Sequence, residues 1–166
     1  MPIRPATTED VPAIAAIYAH HVLHGTGTFE EEPPAPDEVA TRLARVQARG
    51  WPWLVAEDDA GAVLGYAYAA QLRDRAAYRF ACEDSIYVRE DARGRGIGAA
   101  LLDALLAASA AAGFREMFAV IGDSANAGSI ALHARAGFAQ VGLWRRVGFK
   151  FGRFLDVVHM QKRLGE

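Results

Sequence analysis

The stretch Arg93-Gly94-Arg95-Gly96-Ile97-Gly98 lies between a β-prone segment and a long helical one. Glycines lack a Cβ, so several backbone N–H groups can turn toward one anion. The helix that follows adds about half a positive charge at its N-terminus, and Arg93 and Arg95 add more. The arrangement suits a pyrophosphate, although a hexamer of this composition can also be a solvated loop. Gly94-x-Gly96-x-x-Ala99 satisfies a dinucleotide fingerprint as well, with Glu116 at a plausible distance for a ribose contact. That reading fails on placement. Arg89 to Ala92 separate the glycines from their strand, and Glu116 opens its strand where a ribose-binding acid would close it.

Other reactive residue types cluster just upstream. Glu83 and Asp84 are adjacent on a β-prone segment, so their side chains face opposite ways. Arg73, Arg75 and Arg79 interleave with Tyr78 immediately before them. Arginine forks bind carboxylate, phosphinate or sulfone oxygens, or simply stay solvated. Cys82 is the single cysteine, which excludes an internal disulfide and a multi-thiolate zinc site. With no His-Asp constellation nearby in sequence, a thiol nucleophile is disfavoured.

Positioning these groups requires alternating strands and helices. A strand at Ile3–Ala6 leads to a helix start at Thr7/Thr8, and apolar residues recur at helical spacing from Val11 to about His24. A Gly/Pro-rich loop, Gly25 to Pro36, contains Phe29. An amphipathic helix follows from about Asp37 to Ala48. Trp53–Glu57 and Val63–Gln71 read as a hairpin, Leu72–Phe80 as a basic loop and Cys82–Val88 as a strand. Gly96–Ala112 is a helix, Glu116–Ile121 a buried strand and Asn126–Ala136 a helix, and strands at Ala139–Val147 and Phe154–Lys162 complete the pattern. It predicts mixed α/β with one central sheet.

The 166 residues fit one domain, 1–166, and the 52% apolar content can fill its core. A net charge of −2 gives no general attraction to nucleic acid or anionic membrane. The longest apolar run, Ile97 to Ala112, is broken by Asp103 and Ser109 and is too short to span a bilayer. The opening Met-Pro-Ile-Arg-Pro lacks a secretory apolar stretch, so a cytoplasmic protein is expected.

Val88-x4-Arg93-x-x-Gly96-x-Gly98 resembles the acetyl-CoA pyrophosphate motif of the GNAT-type N-acetyltransferases. Asn126-x-x-Ser129-x-x-Leu132-His133-x-x-x-Gly137-Phe138 resembles that superfamily's second block. Pro52–Glu57, Ala77-Tyr78, Glu83-x-Ser85–Val88 and Gly148-Phe149-Lys150-x-Gly152 are similar to the subgroup acting on phosphinothricin, methionine sulfoximine and related amino acids. The similarity runs from Ile3 to about Gln161.

The resemblance implies a mostly antiparallel mixed sheet with helices on both faces, splayed where acetyl-CoA enters. Ile86, Tyr87 and Val88 would meet the pantetheine arm, as would Asn126, also a helix N-cap by type, and Ser129. Arg93 to Gly98, with Gly94, Arg95, Gly96 and Ile97 between them, would take the pyrophosphate. It places Glu83, rather than its competitor Asp84, as the base that frees the amine. His133 stands where many relatives carry tyrosine; it either protonates the leaving thiolate or packs beneath the coenzyme with its ring nitrogens satisfied. Arg75, with Phe29, Tyr78 and Lys150, would hold a zwitterionic or anionic small-molecule amine. No metal, nucleic acid or membrane is implied. A homodimer is, with the aromatic segment Phe149, Phe151 and Phe154 as its candidate interface. Another amine acceptor, or an acetyl-CoA-binding module without catalysis, remains as the alternative.

Overall fold

The structure, a computed structural model, describes residues 1–165. Seven strands form one sheet: β1 Ile3–Pro5, β2 Trp53–Glu57, β3 Val63–Gln71, β4 Ala81–Val88, β5 Glu116–Gly122, β6 Ala139–Lys150 and β7 Arg153–Arg163. Their spatial order is β1-β2-β3-β4-β5-β7-β6. Every pairing is antiparallel except β4 with β5. Helices α1 Val11–His24 and α2 Pro36–Ala48 cover one face, and α3 Ile97–Ala111 and α4 Ala127–Arg135 the other.

Local chemistry explains the elements. Pro36 opens α2 with its φ already helical, Asp37 and Glu38 complement the dipole of the first turn, and Val39, Leu43 and Val46 form the buried stripe. β2 and β3 are apolar nearly throughout because helices cover both of their faces. Ile97, Leu101, Leu102 and Leu105 seat α3 in a core shared with Met117, Ala119, Ile121, Val158 and Met160. The opposite core, built from Ile14, Ile17, Leu43, Val55 and Tyr66 with Tyr87 of β4 against it, draws on the strands before β5 and on α1 and α2. The α1/α2 side of β5 and β7 therefore lies beyond that helical cover.

β4 and β5 pair only where Ala81–Glu83 meet Glu116–Phe118. Leu72 N bonds to Ala81 O and Arg89 N to Leu64 O, which sets the alternation across β3 and β4. The backbone groups of Asp84, Ile86 and Val88 consequently face β5; the Glu83–Phe118 pair uses the Asp84 N–H, and beyond it no strand meets Asp84 O, Ile86 or Val88.

The last hairpin is longer than the sequence pattern predicts. β6 runs on through Lys150, with irregular register between Trp144 and Gly148 and a positive φ of 56° at Arg146. Phe151 and Gly152, at φ 52° and 73°, close a two-residue turn between the paired Lys150 and Arg153. Positive φ at both central positions is the hairpin-favouring turn whose usual first residue is Asn, Asp or Gly, so a phenylalanine there disguises it.

Candidate active site

A cleft of about 800 Å³ follows the open seam between β4 and β5 and ends at the glycine loop. Gly94 and Gly96 have φ of 73° and 79°, and Gly96 caps α3 in the left-handed conformation. A side chain at Gly96 would meet no atom within 4 Å, so backbone conformation rather than crowding calls for glycine there. Arg93, Gly94, Gly96, Ile97 and Gly98 line the cleft. Arg95 is exposed and is not among its walls. The loop, the start of α3 and the unpaired groups of β4 fit a ligand with an amide-bearing arm and a pyrophosphate. Ile86 and Val88 present their backbone to the seam. Tyr87 pairs its own with Tyr66, and its ring packs edge-on against Tyr18. His21 Nε2 donates to Val88 O at 2.8 Å, so that carbonyl already has a partner within the chain.

Glu83 lies across from Ala70 on the α1/α2 face, at the point where β4 and β5 part. Burial pushes its carboxyl above the ordinary glutamate range; the neighbouring Asp84 charge adds to this and Arg73 opposes it. Its proton affinity is thus drawn toward neutrality, as a general base requires. Cys82 is buried, and burial followed by the Asp84 and Glu83 charges pushes its thiol up to about 12, which leaves it unreactive.

Asp84 takes the opposite face and meets α4. Its Oδ2 lies 2.7 Å from His133 Nε2, and His133 Nδ1 lies 2.8 Å from the carbonyl oxygen of Ser129. Both side chains are buried at the cleft wall, and Phe138 closes edge-on over the imidazole at 5.0 Å between centroids. Burial acts against the charged ring, but the hydrogen bond and charge of Asp84 outweigh it, so the imidazole holds its proton above the ordinary range. The two ring nitrogens are therefore satisfied, one of them by a carboxylate. Sequence reading treated Asp84 as a rival base and missed this pairing across 49 positions. Asn126 caps α4, its Oδ1 accepting from Ser129 N at 3.2 Å.

The expected acceptor residues divide. Phe29 is not itself a cleft wall, but its ring lies against Gly122, which is one, and against Gly148, where any Cβ would collide with it. Arg75 precedes and Tyr78 ends a short 3-10 turn, Ala76–Tyr78, and both are exposed outside the cleft walls. The Gln71 side chain shapes this loop by donating to the carbonyls of Arg73 and Arg75 at 2.7 and 3.1 Å. Among its arginines, the charge of Arg73 is the one that acts on Glu83. Lys150 departs from expectation. It is 2% exposed, and its Nζ donates to the carbonyls of Gly25 and Thr28 at 2.8 and 2.9 Å. Two of the three hydrogens of its ammonium are thus engaged by the backbone of the Gly25–Thr28 loop. Thr26 Oγ1, donating to Asp123 Oδ2 at 2.9 Å, ties the same loop to the end of β5.

Known proteins share this architecture. The family model described as acetyltransferase (GNAT) domain matches residues 3–159. Over 162 residues the chain is 51% identical to the phosphinothricin N-acetyltransferase of Alcaligenes faecalis, covering 98% of this chain and 82% of that protein. It is 44% identical over 165 residues to the L-methionine sulfoximine/L-methionine sulfone acetyltransferase of Pseudomonas aeruginosa, with 98% and 94% covered. The crystal structure of a GNAT superfamily phosphinothricin acetyltransferase from Sinorhizobium meliloti, in complex with AcCoA, matches with a TM-score of 0.97 at 49% identity, over 99% of this chain and 89% of that one. With the parted sheet, the glycine cradle and these likenesses in agreement, the chain belongs to the GNAT superfamily of N-acetyltransferases, in the subgroup resembling the phosphinothricin and methionine sulfoximine enzymes.

Proposed function

We propose that this chain transfers the acetyl group of acetyl-CoA to the amine of a small amino-acid-like molecule such as phosphinothricin, methionine sulfoximine or methionine sulfone. The carrying observation is the open seam: unpaired β4 backbone leads from Glu83 to a cradle of left-handed glycines at the start of α3. Bound there, acetyl-CoA supplies an activated thioester. Ile86, with Asp84 O and the Val88 N–H, offers backbone partners to its arm, with Asn126 and Ser129 on the opposite wall, and the Arg93–Gly98 loop faces its pyrophosphate.

An amine with pKa about 8 is only about one-tenth neutral at pH 7. Glu83 takes its proton, directly or through a water, and its raised proton affinity suits that task. His133, its ring nitrogens engaged by Ser129 O and Asp84 Oδ2, packs beneath the coenzyme. Phe29 walls the acceptor side, and the Arg73–Arg79 loop with Tyr78 receives an anionic or zwitterionic substrate through Arg75. The protein works as a single-domain cytoplasmic enzyme and as a homodimer. The exposed Trp144, Val147, Phe149, Phe151 and Phe154 on β6, β7 and their turn support self-association.

Thiol release from acetyl-CoA, measured against a panel of amino acids, methionine sulfone, methionine sulfoximine and phosphinothricin, tests the reading. Release that depends on one or more of these acceptors is expected. Tight acetyl-CoA binding with no acceptor-dependent release would favour a non-catalytic module instead.

A further inference from the structure

Between α1 and α2 the chain crosses the parted seam at Gly25 to Thr28, and all four of these residues line the cleft. Two glycines in the run Gly25-Thr26-Gly27 give it little stiffness of its own. Its approach belongs to the N-terminal half of the sheet. His21, in the last turn of α1, donates to Val88 O of β4. Tyr18, whose ring packs on Tyr87, meets Thr28 Oγ1 through its hydroxyl at 2.8 Å.

From there the segment is pinned to the C-terminal half. Thr26 Oγ1 donates to Asp123 Oδ2 at 2.9 Å, and Arg153, just past the β6–β7 turn, donates to the same oxygen at 2.9 Å. Asp123 presents this carboxylate from a left-handed backbone at φ 78°, with its Oδ1 accepting from Ala125 N at 2.9 Å. Lys150 Nζ takes the carbonyls at the two ends of the segment, Gly25 and Thr28. A Cβ on Gly122 would collide with Thr26 O, and one on Gly27 would stand 4.0 Å from Asn126 Nδ2. The segment thus presses on the end of β5 and comes up to the cap of α4. These contacts bridge the two halves where the β4–β5 ladder, which stops at Glu83 and Phe118, no longer does.

We propose that Lys150 and Asp123 are positioning residues that hold Gly25–Thr28 as a strap across the seam, fixing the wall of the cleft against the arm of bound acetyl-CoA. This rests on the reading in which the coenzyme lies along the seam between β4 and β5.

A wall held in place before the ligand arrives needs no ordering when the ligand binds, whereas a loose one must be immobilised each time. Lys150 suits the task because a charged donor makes the stronger hydrogen bond. Burial disfavours its ammonium, and the charges of Glu31 and Glu30 oppose that.

Lys150→Met keeps the apolar stem and removes both hydrogen bonds. Thr26→Val keeps the shape of its side chain and removes the hydroxyl that meets Asp123. Calorimetry and stopped-flow titration with acetyl-CoA alone should show each variant releasing the coenzyme faster, with Kd raised roughly 5- to 10-fold. Because both pins act on one strap, the double variant should lose only about twofold more than the weaker-binding single one. An unchanged Kd in the single variants would overturn the proposal, and Thr26→Val decides that point by itself if Lys150→Met does not fold. Losses that multiply in the double variant would overturn it too, since the two contacts would then be independent props. So would a Lys150→Met variant that raises only the KM of the acceptor, because the third hydrogen of the ammonium would then serve the acceptor's anion. The titrations contain no acceptor, so a wild type that binds acetyl-CoA and acetylates nothing in the panel refutes the proposed function while the strap is still judged.

Discussion

Glu83 sits where burial and the Asp84 charge both favour its protonated form. Replacing it with glutamine keeps its shape and removes the base. Turnover should fall about 100-fold or more near neutral pH, acetyl-CoA binding should survive, and part of the loss should return at high pH, where more amine is neutral. The same group bears on stability. Its carboxyl is raised above 4.5 in the folded protein, so its stabilising protonation is complete below that pH and disappears as pH rises through the folded value. At pH 7 an ionised Glu83 is thus a cost, and calorimetry should find Glu83→Gln melting at or slightly above the wild type, with no such advantage below pH 4.5. Arg75→Ala should instead raise the KM for an anionic acceptor, since a charge-assisted contact contributes about 1.5–3 kcal/mol. Raising the pH should not rescue it, and an unchanged KM would pass the role to Arg73. Strand alternation made the opposed faces of Glu83 and Asp84 legible from sequence. The partner of Asp84 was not, because no local rule links a strand residue to a helix residue 49 positions later. Lys150 raises a related point: a lysine beside a candidate site suggests an anion, whereas two of its three hydrogens meet carbonyls that only folding brings near.

The elements themselves were largely readable. β2 and β3 match their hydrophobic runs residue for residue, and α2 and α3 begin and end within one residue of the expected bounds. The misses fall where backbone conformation contradicts residue type, as at Arg146 and Phe151 in the β6–β7 hairpin. The glycine loop shows the opposite case, in which residue type announces the conformation. Gly96 at φ 79° is both the cap of α3 and a wall of the cleft. Gly96→Val must either strain that φ or unwind the first turn, and either outcome turns the backbone N–H groups away from their anion. Acetyl-CoA raises the melting temperature of the wild type by mass action. That increase should be largely lost in Gly96→Val, and a variant that binds coenzyme A as the wild type does would remove the loop from the site.

For the molecule as a whole, the exposed aromatic band on β6 and β7 is the feature an isolated chain would least tolerate. Trp144, Val147, Phe149, Phe151 and Phe154 are each at least 50% exposed on an edge hairpin. Light scattering should find a dimer, and the double substitution Phe149→Glu and Phe154→Glu should yield a monomer; a wild-type monomer at assay concentrations would count against the interface. The parted seam has a consequence of a different kind. β1 to β4 all precede residue 89 and β5 to β7 all follow residue 115, and three residue pairs join the two groups edge to edge. The sheet is thus two contiguous stretches of chain held together largely by the packing of α3 beneath them. Without ligand, each stretch has the makings of its own opening unit, and the amides of Ile86 and Val88 should exchange with deuterated solvent early. A ligand that hydrogen-bonds across the gap would fuse the two units, slowing exchange in β4 and β5 together and merging two unfolding steps into one. Coenzyme binding would then be read out as cooperativity between the two ends of the chain.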